Sequence, residues 1–299
     1  MHHSSGAFPV EYLFLVPALA AAAAYVAGAG SNRAGGWPVH RTAVFLLGLV
    51  LALMSVLGPL PALAHTDFTW LALSHVAAGM LAPLLLVLSR PVTLALRVMD
   101  KMPARRTVRL LRSTPARFLS HPLTAAVLNA GGMFLMFRTP VFEAMSMLAP
   151  VHWLMTFHLV AAGYLWTAAL IGRDPNPHRT GLRLRAAVLI ATAAAHNILA
   201  KSLYADPPAG VPAAAAESGA MAMYYAGGAV EIAVMLILCL QWYRRSAPDP
   251  SSPGAVPPHV LSLHRAGKRP VPRWAERAFG SGKRETDQQH SAVREWAPE

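Results

Sequence analysis

The stretch VHWLMTFHLVAAGYLWTAALIGRDP, Val151 to Pro175, decides the reading of the fold. Between His152 and Ile171 it holds no Asp, Glu, Lys or Arg, and about 20 residues rising about 1.5 Å each cover the roughly 30 Å hydrocarbon core of a bilayer. It predicts a membrane span. Two polar rings, His152 and His158, stand in its leading half. Lipid offers an imidazole no hydrogen-bond partner, so such residues face the interior of a bundle and mark a site there.

Working outward, the 299 residues are 55% hydrophobic and 13% charged, whereas an ordinary soluble domain carries about 25% charge. The chain reads as a polytopic membrane protein. Apolar runs at 8–30, 42–63, 70–89, 122–138, 151–171, 184–204 and 220–243 predict an all-α bundle of seven transmembrane helices. The opening MHHSSG is set aside as a start region or tag remnant, and no Lys or Arg precedes the first run. A retained span is therefore expected there rather than a cleaved signal. Residues 1–245 form the seven-span domain. Residues 246–299, rich in Pro, Ser, Gly and mixed charge without apolar periodicity, are predicted to be a disordered basic cytoplasmic tail.

Basic residues set the orientation. Arg33 and Arg41 fall in the first connection, eight Lys or Arg between Arg90 and Arg117 in the third, and four between Arg173 and Arg185 in the fifth. With ten more after Tyr243, 24 of the 26 lie on one side, leaving Arg138 and Lys201 on the other. By the positive-inside rule this places the N-terminus outside and the C-terminus in the cytoplasm of a multi-pass inner-membrane protein. The net charge of +12 is thus topological, with membrane lipid rather than nucleic acid as its partner. The single cysteine, Cys239, excludes an internal disulfide and a paired-cysteine metal motif.

Given this topology, His65, His75, His152, His158 and His196 all lie in outer connections or outer halves of spans. His75, His158 and His196 stand about five to eight residues inside their spans, or roughly 8 to 12 Å deep. Three imidazoles on three helices are therefore expected at one level. Ala72, Gly79 and Ala82 stand at helical spacing around His75, a stripe of small residues of the kind that lets helices approach in a bilayer. His152, Met155 and His158 follow at three-residue steps on the fifth span, with Met133, Met136, Met145, Met147, Met221 and Met223 on the same side. Imidazole with thioether suits copper(I), whereas magnesium or calcium needs carboxylates that are scarce here. The expected metal ligands are His75, His158 and His196, with His152 or Met155 as an entry ligand. Glu231, with Tyr224, Gly227 and Gly228 on one face of the last span, is either a proton carrier, a partner to a cation, or a protonated packing residue.

Four pieces carry a family resemblance: SHVAAGMLAPLLLVLSRPVTLALR (Ser74 to Arg97), FHLVAAGYLWTAALIGRDPNPHR (Phe157 to Arg179), AHNILAKSLY (Ala195 to Tyr204) and MYYAGG (Met223 to Gly228). In these the chain resembles the caa3-type cytochrome c oxidase assembly factors, the CtaG-type membrane proteins, over residues 45–245. His75, His152, His158 and His196 match family histidines. Leu71 stands where many members carry His, and Thr156 occupies another position that can be His. The resemblance implies a seven-span assembly factor that supplies copper to, or inserts it in, a haem-copper oxidase subunit. A periplasmic copper carrier is expected among its partners. It is a partner protein and not an enzyme, and no nucleophile–base–acid constellation is seen. Two other readings fit the residues: a transporter for copper or another small solute, and a membrane haem protein with two axial histidines.

Overall fold

The computed structural model describes residues 12–57 and 59–246. The tail expected at 246–299 therefore lies outside the described residues, apart from Ser246. Described residues form helices joined by short turns, with no strand among them. They are α1 (Tyr12–Gly30), α2 (Val39–Met54), α3 (Pro59–Thr66), α4 (Phe68–Val76), α5 (Ala82–Leu88), α6 (Pro91–Val98), α7 (Lys101–Leu111), α8 (Thr114–Leu119), α9 (Pro122–Ala126), α10 (Gly132–Arg138), α11 (Val141–Met147), α12 (Ala149–Ile171), α13 (Leu182–Ala205) and α14 (Ala213–Ser246). The helices at Phe68–Val98, Ala149–Ile171, Leu182–Ala205 and Ala213–Arg244 are long and apolar enough to cross a bilayer. Shorter apolar helices occupy Phe14–Gly30 and Val39–Met54. The chain is an all-helical membrane protein.

Two predicted spans contain π-turns. Ala77–Leu81 joins α4 to α5, and Val127–Gly131 joins α9 to α10. Each pairs backbone groups five residues apart instead of four, which changes the phase of the side chains beyond it. At the first turn the backbone of Gly79 comes against Gly163 of α12, so close that a Cβ on Gly163 would collide with the Gly79 carbonyl. The expected small-residue stripe is indeed inward, since Ala72 and Ala82 are 1% and 0% exposed. Close backbone approach of this kind is how helices pack when lipid removes the hydrophobic driving force between them.

The second predicted run, 42–63, is two helices. Helix α2 ends at Met54 and α3 begins at Pro59, because a proline has no N–H to donate one turn back. The connection after the third run, with its eight basic residues, is itself helical: α6, α7 and α8 fill it. Helix α6 starts from Arg90, whose φ of 56° turns the chain sharply out of α5. Its first turn is capped from afar. Asp174 accepts hydrogen bonds from the backbone N–H of Thr93 (2.8 Å) and Val92 (3.4 Å) and from the Thr93 hydroxyl, satisfying donors that a helix start leaves open.

Candidate functional site

His75 lies in the last turn of α4, just before the first π-turn, and His196 sits in the middle of α13. They are 2% and 1% exposed. Their ring centroids lie 6.5 Å apart with planes 12° from parallel. All four ring nitrogens lack a hydrogen-bond partner among the described residues. Glu231 of α14, itself buried, brings Oε1 to 3.3 Å from His196 Nδ1, a charge contact without hydrogen-bond alignment. Its other oxygen accepts from Asn197 Nδ2 at 3.4 Å. Gly227 makes room for His196, since a Cβ there would strike the imidazole.

His158 is placed differently. Its Nε2–H donates to the carbonyl of Leu128 in the second π-turn at 3.0 Å. Gly132 is the seat for this ring, because a Cβ there would collide with Nε2. The expectation that three imidazoles meet is thus met by two, and the third is tied to a backbone carbonyl that its neighbouring glycine exposes. Among the described residues no three His, Cys, Asp or Glu side chains converge as a metal cage.

A chamber of about 710 Å³ opens beside the pair. Its lining includes His75, His152, Met155, Met136, Met145 and Asp67, together with Leu71 and Thr156. A small void of about 10 Å³, lined by His158, Met133 and Asn129, shares Met136, Met155 and Leu159 with the chamber wall. The two entry candidates, His152 and Met155, therefore face the same space as His75. Helices α3 and α11, with the α13–α14 connection, contribute the rim through Pro61, Phe142 and Gly210. The His65 side chain lies outside the described residues.

The family model for cytochrome c oxidase caa3 assembly factors (Caa3_CtaG) matches residues 23–245. The chain belongs to this assembly-factor family. Three curated relatives are uncharacterized mycobacterial proteins: one from Mycobacterium leprae (strain TN), 33% identical over 184 residues, and one each from Mycobacterium bovis and Mycobacterium tuberculosis, 35% identical over 181 residues. Each match covers 58% of this chain, and the chain spans 28%, 27% and 27% of those relatives' lengths. No solved structure matches. Within this assembly factor the GRDPNPHR motif has a structural task, since its Asp174 caps α6. The motif SHVAAGML instead carries His75 and the π-turn.

Sequence reasoning passed over Met80. Met80 stands five residues after His75, out of phase in a regular α-helix, where five steps turn the side chain about 140° away. The π-turn corrects that phase. A single point, the Cβ position above Gly227, lies 2.9 Å from His196 Nε2 and 3.3 Å from Met80 Sδ.

Proposed function

We propose that this protein serves oxidase assembly by binding copper near the outer membrane face and passing it to a haem-copper oxidase subunit. Copper is cargo here, and no catalytic step is assigned. The observation that carries the reading is the His75–His196 pair. An unpartnered buried polar group costs about 1–3 kcal/mol, and this site holds four ring nitrogens without a hydrogen bond on two spans, one of them in contact with Glu231. Metal ligation relieves that cost at one nitrogen of each ring. His152 and Met155 serve as entry ligands from the chamber, which a periplasmic copper carrier loads. His158, bonded to Leu128, holds the α9–α10 segment against α12.

The reading includes seven spans, an outer N-terminus, a cytoplasmic C-terminus and residence in the inner membrane. Its support is the alternation of basic residues together with the presence of the histidine chamber at the ends remote from α6–α8. In a Cys239→Ser background, a membrane-impermeant thiol reagent should label a Cys placed at Asp67 or Ala209 and miss one at Ser252. Labelling at Ser252 would reverse the orientation.

The functional test is deletion of the gene, with complementation by wild type or His196→Gln and metal and haem analysis of the membrane oxidases. A copper-deficient, haem-containing oxidase in the deletion and His196→Gln strains is expected. A fully copper-loaded oxidase in the deletion strain would end the proposal.

A further inference from the structure

We infer that the copper centre is a three-donor N₂S site made by His75, His196 and Met80, and that the π-turn Ala77–Leu81 is the device that supplies the sulfur. This rests on the copper reading above and makes it specific. The two imidazoles stand with centroids 6.5 Å apart and planes 12° from parallel, near the reach of two metal–imidazole bonds of about 2 Å each once each ring turns a nitrogen edge toward a shared ion. A third donor is not found among His, Cys, Asp or Glu, because no such trio converges among the described residues. Met80 is the soft donor at hand. It is 8% exposed, and its sulfur flanks the same Gly227 position as His196 Nε2. Had residues 77–81 continued as a regular α-helix, Met80 would face away from His75. The π-turn changes that phase, and the Met80 sulfur lies on the His196 side, at the Gly227 position.

The donor set selects the ion. Thioether with imidazole suits copper(I) and disfavours harder cations. A divalent ion also brings a larger desolvation cost into so buried a place. The chamber and the pair thus divide the work: His152 and Met155 meet the ion at the open side, and the closed trio holds it.

The test uses the full-length protein in detergent, loaded anaerobically with copper(I), with silver(I) and zinc(II) as comparison ions. X-ray absorption at the copper edge should show two nitrogen scatterers and one sulfur scatterer. Met80→Leu, close in volume and apolar, should keep the protein's melting temperature near that of wild type, remove the sulfur scatterer and weaken copper(I) at least tenfold in a chelator competition. Silver(I) should compete for the site, and zinc(II) should not. A wild-type site with nitrogen donors only, or a sulfur scatterer that survives Met80→Leu, would overturn the trio while leaving copper binding intact. A wild-type protein that binds no copper(I) would overturn the copper reading itself. A Met80→Leu protein that melts far lower would be replaced by Met80→Gln, which keeps the chain length but not the thioether, and the same spectrum would be read.

Discussion

The two π-turns are the same backbone device put to different ends. At Val127–Gly131 the turn presents the Leu128 carbonyl to His158, and Gly132 lets the ring approach. At Ala77–Leu81 the turn lies against α12, and the histidine preceding it keeps both nitrogens without a hydrogen bond. One histidine is consumed by structure and the other is left available. Depth in the membrane and residue type do not distinguish them, and the partner of the ring does. A satisfied imidazole rigidifies its helix pair, whereas two unsatisfied ones facing each other are a site held open at the expense of stability.

The comparison is broken most severely by changing the phase across the first π-turn. Inserting one alanine after Ala78 should rotate α4 by about 100° relative to α5, which turns His75 away from Met80. Copper(I) binding, followed by chelator competition, should be lost, and the melting temperature should fall as the Gly79–Gly163 contact is displaced. Retained binding would mean that the turn does not arrange the donors.

Two glycine substitutions sharpen it next. Gly227→Ala places a methyl group against the His196 ring, and copper(I) affinity should drop at least tenfold by the same competition. Gly132→Ala places one against His158, and the expected effect is on stability alone, about 1–3 kcal/mol as for other overpacked positions. Thermal unfolding in detergent distinguishes the two, because only the second should lower the melting temperature without touching the metal.

The lengths of the apolar runs made four membrane-length helices legible, and the inward stripe of Ala72, Gly79 and Ala82 was legible from its spacing. The matched depth of His75 and His196 could also be read, because rise per residue is constant along a helix. The π-turns could not. One extra residue inside an apolar run changes neither hydropathy nor length enough to notice, so Met80 looked out of phase and the Leu128 carbonyl had no signature at all. The helices of the basic connection are not legible, because its polarity hides its periodicity. Its helical start depends on Asp174, about eighty positions further along the chain, which no local pattern reveals. The break at Pro59 was visible in the sequence, yet the surrounding run of apolar residues masked it.

A smaller effect is expected far from either π-turn. Helix α7 exposes Arg105, Arg106 and Arg109 with Met102 and Leu110, and each basic residue near anionic lipid contributes about 1 kcal/mol at most. Replacing the three arginines by Gln should weaken co-sedimentation with anionic vesicles and leave copper stoichiometry unchanged. Altered stoichiometry would place this segment nearer the site than the fold does.

The most direct measurement is copper(I) affinity, by competition with a chromogenic chelator, for wild type, His75→Gln, His196→Gln and His158→Gln under one set of conditions. The account predicts that His75→Gln and His196→Gln each lose at least tenfold while His158→Gln holds the wild-type value and only melts at a lower temperature. A His158→Gln protein that loses as much affinity as His75→Gln, or a His75→Gln protein that loses none, would contradict it.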